Sequence, residues 1–172
     1  MNHKSIDVSS IKDFDEASGC YRLKCICGAI TVISPNQLLQ PKVTIQCRSC
    51  YLEYDLHATD MDIGIAYYYL QNYSEAIRHY LLYQRQNRED EQVKKDVEFN
   101  IFDALCQVYD RQTTEEGRKE CVDTFKSLYP SSSYSLENRQ VENGLLEPAA
   151  FEAYLKDRLS VIHSICSEVN KR

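Results

Sequence analysis

The chain of 172 residues has no tryptophan, two methionines, five glycines and four prolines. It contains no apolar run near the roughly 18 residues that span a bilayer, so no membrane-crossing helix and no membrane partner is expected. The opening stretch Met1 to Phe14 is polar and lacks an apolar h-region, so no secretory signal is expected. The few glycines form no phosphate-cradling loop and no nucleophile elbow, and no carboxylate pair has the surroundings of an acid–base site. Enzymatic activity is therefore not expected. An excess of positive charge is also missing, since the formal net charge is −6. Residues 1–56 hold six basic and six acidic side chains, leaving fourteen and twenty for the remainder. That acidic remainder repels a phosphate backbone, which argues against a nucleic-acid ligand.

What the chain does have is eight cysteines and thirteen tyrosines. Four of the cysteines form two close pairs, Cys25-x-Cys27-Gly28 and Cys47-x-x-Cys50, with nineteen residues between Cys27 and Cys47. Two such pairs can supply four thiolates to one tetrahedral metal. Gly28 suits the tight turn after the first pair, where a positive φ is tolerated. Zinc fits this donor set, with ferrous iron as the alternative, one ion per chain. Lys24 and Arg48 adjoin the cysteines and could offset the net charge of about −2 that four thiolates leave on a divalent metal. Thiols at metal spacing point to a reducing compartment, cytoplasmic or nuclear.

The segments around these pairs read as short strands. Tyr21-Arg22-Leu23 enters the first pair, and Ala29 to Ile33 leaves it, ending at the turn signal Ser34-Pro35-Asn36. Val43-Thr44-Ile45 enters the second pair and Tyr51 to Tyr54 leaves it. Strand, knuckle, strand, loop, strand, knuckle, strand is the layout of a zinc ribbon. Residues 1–19 are polar, with Asp13, Asp15 and Glu16, and read as an extended or loosely ordered arm.

The cysteine pairs, their separation, Leu52 after the last pair, and the lead-in Ile11 to Asp15 with Tyr21 four residues before Cys25 resemble the DPH-type (CSL) zinc finger. The likeness covers about residues 6–56. It implies a rubredoxin-like knuckle pair holding zinc or iron through Cys25, Cys27, Cys47 and Cys50. It also implies kinship with a small electron carrier of diphthamide synthesis and tRNA modification, and with J-proteins carrying the same finger. The chain departs from that family in having Tyr51 where serine is usual, no acidic cluster between Pro35 and Pro41, and no His-Pro-Asp signature of a J-domain.

From about Asp60 the apolar period becomes helical, with Ile63, Tyr67, Leu70, Ala76, Ile77, Tyr80 and Leu81 at three- and four-residue steps. A break at Gln71-Asn72 divides two helices, and the charged run Gln86 to Gln92 reads as a loop. Two more helices are expected over roughly Val93–Tyr109 and Thr114–Tyr129, the latter capped by Thr113 or Thr114 with Glu115 and Glu116 in its first turn. After Pro130, residues Tyr134 to Leu146 read as an irregular loop. A last helix is expected over about Pro148–Asn170, with Phe151, Leu155, Leu159, Ile162 and Cys166 on one face.

Residues 57–90 resemble one tetratricopeptide repeat, through Ile63-Gly64, Tyr67, Tyr73, Ala76 and Tyr80. Such a unit needs neighbours to bury its faces, and a stack of them implies a groove for a protein partner. Met61 and Ile65 occupy the positions of a carboxylate clamp, so chaperone-tail binding is not implied. Tyr67, Tyr73, Tyr80 and Tyr83 are candidates for a partner surface, where tyrosine is enriched, although helix packing also accounts for them. Cys20, Cys106, Cys121 and Cys166 lack metal spacing; the last three read as buried helix cysteines, while Cys20, five residues before Cys25, has a nearby redox thiol as its alternative reading. His57, His79 and His163 are scattered and read as surface or packing residues.

The expected fold is α+β: a small rubredoxin-like β zinc ribbon followed by an all-α, tetratricopeptide-like array of about five helices. The expected organisation is an arm over 1–19, a ribbon over 20–58 and a helical domain over 59–172. The expected role is a non-enzymatic metal-binding adaptor with a protein partner on the helices. The alternative is a metal-dependent accessory or electron carrier in diphthamide biosynthesis or tRNA modification.

Overall fold

Alternating apolar residues on either side of each cysteine pair build two β-hairpins. Cys20–Lys24 (β3) and Ile30–Ile33 (β4) flank the first pair and run antiparallel, with Tyr21 opposite Ile33 and Leu23 opposite Thr31. Val43–Gln46 (β5) and Glu53–His57 (β6) flank the second, with Val43 opposite Leu56 and Ile45 opposite Tyr54. In β3, β5 and β6 every second side chain is buried, the period of a strand with one face on a core. These elements belong to a computed structural model that describes residues 3–137.

The first nineteen residues are more than an arm. His3–Asp7 (β1) pairs in parallel with β6, placing Ile6 opposite Leu56, and Phe14–Asp15 (β2) pairs with β3. The result is two three-stranded sheets, β1-β6-β5 and β2-β3-β4. Val8 lies in a short 3-10 turn between β1 and β2 and is fully buried. Parallel pairing joins strands far apart in sequence, here across both hairpins, so no local pattern announces it.

The link between the cysteine pairs also differs from the expected loop. Pro35–Leu38 (α1) is a single helical turn, with the Ser34 N–H donating to Gln37 Oε1 at 2.9 Å. Proline at the first helical position and a polar residue three beyond the cap are helix-start chemistry, which outweighs the turn signal. Leu38 is 2 % exposed and anchors the turn to the core.

The chain divides into two compact units, the first ending at Asn72 and the second starting at Tyr73. Asp60–Tyr69 (α2), grouped by its period with the later helices, lies in the first unit. It starts with a reciprocal cap, in which Thr59 N–H donates to Asp62 Oδ2 at 2.8 Å and Asp62 N–H to Thr59 Oγ1 at 3.3 Å. Ala66 joins the core of Val8, Leu23, Ile33, Ile45 and Leu56. Tyr69 closes over the start of β3: its ring meets Phe14 edge-on at 5.7 Å, and its hydroxyl donates to the Glu16 carbonyl at 2.8 Å. Each fully buried aliphatic side chain in such a core contributes about 1.5–3 kcal/mol of transfer free energy.

The second unit is helical where described. Tyr73–Gln86 (α3), Glu91–Asp110 (α4) and Glu115–Leu128 (α5) follow one another, with α4 packed against both neighbours. The expected loop narrows to four residues, and Asp90 caps α4 by accepting from Gln92 N–H at 2.9 Å. Of the two threonines, Thr114 caps α5, accepting from Gly117 N–H at 3.1 Å. Ile77, Val97, Ile101, Leu105 and Phe125 form the interior. Beyond α5, Leu136 is buried and Tyr134 stacks on Phe102 at 4.8 Å, so the start of the expected loop packs against α4.

Among the described residues the architecture is thus α+β, two small sheets and five helices, one of them the unexpected α1. The helix expected near 148–170, with Phe151, Leu155, Leu159, Ile162, His163 and Cys166, lies outside the described residues. Among the described residues, no helix is long and apolar enough to cross a membrane.

Gly19 tests the seat of α2. Its φ is +69°, and a Cβ there would stand 2.6 Å from Tyr69 Cδ2 and 2.8 Å from Tyr69 Cβ, near the root of a side chain that cannot swing away. Gly19→Ala is expected to lower stability by about 2 kcal/mol. A urea titration checks this, and a loss below about 0.5 kcal/mol would mean that Tyr69 is not held there.

Candidate metal centre

Each hairpin holds a tight turn, the second one residue longer than the first. In the first, Cys25 N–H donates to the Ala29 carbonyl at 2.8 Å, and Gly28 N–H returns to the Cys25 carbonyl at 2.9 Å. In the second, Cys47 N–H donates to the Leu52 carbonyl and Tyr51 N–H to the Cys47 carbonyl, both at 2.9 Å. The residue closing each turn has a positive φ, +89° at Gly28 and +60° at Tyr51. Glycine adopts this conformation freely; a tyrosine there is uncommon and costs on the order of 1 kcal/mol.

The turns bring all four sulfurs together. Cys25 Sγ lies 3.4 Å from Cys50 Sγ, and Cys27 Sγ 3.6 Å from Cys47 Sγ. All four fall within 4.8 Å of one another, a set that could hold one metal ion. A regular tetrahedron with metal–sulfur bonds near 2.3 Å has edges of about 3.8 Å, so the donor set suits such an ion. Zinc is a natural occupant for four thiolates. Cys25 and Cys47 are 3 % and 1 % exposed, whereas Cys27 and Cys50 face solvent. The cluster therefore has a buried edge and an open one.

The backbone favours negative sulfur. The Cys27 amide acts on Cys25, that of Ala29 on Cys27, those of Cys50 and Ser49 on Cys47, and that of Leu52 on Cys50. Cys47 thus has one amide more than Cys25. The first thiolate is nonetheless singled out by a side chain: the Tyr54 hydroxyl donates to Cys25 Sγ at 3.0 Å. That bond, reinforced by the Cys27 amide, holds the Cys25 thiol down to about 6. At Cys50 the Leu52 amide favours the thiolate, but hydrogen bonding with Cys25 and desolvation outweigh it and push the thiol up to about 12. With a metal bound, the ion's charge becomes the dominant local field. Lys24 and Arg48, proposed to offset the cluster's charge, both have exposed side chains.

Other candidates lie elsewhere. Cys20 is not part of the four-thiol set; its Sγ points to the Ser18 carbonyl at 3.8 Å. Cys106 and Cys121 are fully buried between helices of the second unit, and burial pushes the Cys121 thiol up to about 12. His57 pairs with Ser5 across β1 and β6 at 2.6 Å. Of the four tyrosines singled out for a partner, Tyr73 and Tyr80 are buried at 8 % and 2 % exposure, which places them in the interior. The Arg111 guanidinium lies over the Tyr73 ring at 5.3 Å. Tyr67 and Tyr83 are half-buried and keep an accessible edge.

The sequence did not single out Tyr54. Alternation along Leu52, Tyr54 and Leu56 points it inward, but its meeting with Cys25 needs the second hairpin to lie on the first. Ile26 and Tyr51 also gain meaning only here. They are 75 % and 72 % exposed, each beside a cysteine whose side chain faces solvent.

No family model matches the chain, and no curated protein or solved structure matches it.

Cys47→Ser and Cys27→Ser test the cluster. Each is expected to abolish stoichiometric metal binding and to loosen the first unit, while the helices over 73–128 persist. Metal release measured with a chromogenic chelator and far-UV circular dichroism check both points. Full stoichiometry in either variant would show that the four thiols are not a single site.

Proposed function

We propose that the protein is a non-enzymatic metal-binding adaptor, in which a DPH-type, rubredoxin-like zinc ribbon is joined to a tetratricopeptide-like helical region that takes a protein partner. The observation that carries the metal half is the four-sulfur cluster, held by a tight turn in each hairpin. Zinc would be held by Cys25, Cys27, Cys47 and Cys50, one ion per chain, and would tie the two hairpins together. A structural site of this kind supplies folding free energy directly, because the thiolates are assembled only in the folded state. The cysteine spacing and lead-in residues shared with the DPH-type finger support the family assignment.

The adaptor half rests on the surface. Both turns expose a large apolar side chain, Ile26 and Tyr51, and the outward positions of β4 expose Ile30 and Val32. In the second unit Phe99 is 50 % exposed and its ring meets that of Tyr134, 40 % exposed, at 6.0 Å. Aromatic residues are enriched at protein contact surfaces. Tyr67 and Tyr83 are the remaining tyrosine candidates for such a contact. A cytoplasmic or nuclear setting keeps the thiols reduced and available.

One observation favours a second reading, an electron carrier or accessory in diphthamide biosynthesis or tRNA modification. The cluster's open edge, with Cys27 and Cys50 facing solvent beside apolar tips, is the arrangement through which an iron centre would meet a redox partner. The occupant decides between the two. Metal analysis and a visible spectrum on protein purified without oxygen are expected to show one zinc per chain and no change on oxidation. One iron per chain, colouring on oxidation and bleaching on reduction, would replace the adaptor with the carrier. No bound metal under either condition would overturn both.

A further inference from the structure

We propose that Tyr54 is a positioning residue for the metal centre, its hydroxyl drawing charge from the Cys25 thiolate and so setting that sulfur apart from the other three. The proposal rests on the reading that the four cysteines hold a metal, and it concerns how one ligand is tuned.

Tyr54 lies on β6, opposite Ile45 on one side and Lys4 on the other. It is 3 % exposed, and its hydroxyl oxygen stands 3.0 Å from Cys25 Sγ. A metal-bound thiolate carries no proton and can only accept, so the tyrosine must donate. A phenol buried this deeply is costly unless its hydroxyl is paired, and the sulfur is its partner. Among the described residues, Tyr54 is the one side chain other than a cysteine that hydrogen-bonds to the cluster.

Position makes the bond matter. Cys27 and Cys50 sit on the open edge, where water can solvate their charge. Cys25 is buried and has no such relief. Hydrogen bonds to ligands orient them and tune the metal, and their removal typically weakens metal binding 10- to 100-fold. Hydrogen bonds to cluster sulfurs also set reduction potential, since a thiolate that shares charge with a donor gives less to the metal.

The test loads the full chain and its Tyr54→Phe variant with Co(II). Phenylalanine keeps the ring in the core and removes only the hydroxyl. The variant is expected to bind one Co(II) with tetrahedral absorption bands, with its sulfur-to-metal charge-transfer band at longer wavelength and its affinity about 10- to 100-fold lower. With iron in place of cobalt, the variant's potential is expected to move negative. Global incorporation of 3-fluorotyrosine supplies the opposite perturbation. A more acidic phenol donates more strongly and should move the band to shorter wavelength in the parent chain, but not in the Tyr54→Phe background. A variant with the parent's spectrum and affinity, or a fluorotyrosine shift that persists without the Tyr54 hydroxyl, would overturn the proposal and leave the metal site standing. Failure of the parent chain to bind Co(II) would overturn the metal reading and the proposal with it.

Discussion

The convergence of four sulfurs between two hairpins is the constraint on which the first unit depends. A hairpin alone is marginal in water, and two short ones enclose little apolar volume. Held together at their turns, they need only a modest core. Tyr21, Leu23, Ile33, Ile45 and Leu56 supply it, with Cys25 and Cys47 completing it at the four-sulfur end. Burial of one cysteine from each pair follows from this geometry, because the inner edge of the cluster is also the edge of the core. The outer cysteines stay in solvent for the same reason.

The rest of the first unit closes the open sides of the hairpins. β1 covers one edge of β6, and Val8, in the turn that follows β1, is fully buried. The Phe14 ring meets that of Tyr21 at 4.7 Å, tilted by 49°, and α2 lies against the hairpins through Ala66 and Tyr69. These are additions that a bare cysteine knuckle pair does not need, and they enlarge a core that would otherwise be small. The second unit is held differently. Its helices are successive neighbours, its contacts are local along the chain, and its interior is aliphatic and aromatic. Such packing forms without a metal, so the two halves answer to different physical causes.

The legible features were those written in short stretches. The cysteine pairs, the strands at Cys20–Lys24 and Val43–Gln46, the helix break at Gln71-Asn72 and the Thr114 cap all rest on residues within a few positions of one another. The strand after the second cysteine pair was legible in kind but lies two residues later, at Glu53–His57, because the turn extends through Tyr51. Residues 3–15 were opaque, since their strands depend on partners tens of residues away. The allegiance of α2 was opaque too, because a helical period records that a face is buried and not what buries it.

By itself the sequence determined the chemistry of the site: four thiols in two pairs, each pair confined to a tight turn by neighbouring strands. Spacing and residue type are local properties, and thiolate chemistry follows from them. Only the tertiary structure decided which cysteines are buried, which sulfur receives the Tyr54 hydroxyl, and that β1 and α2 enclose the two hairpins. Those outcomes depend on how separate segments meet in space, and that is set by the summed burial of side chains far apart in the chain.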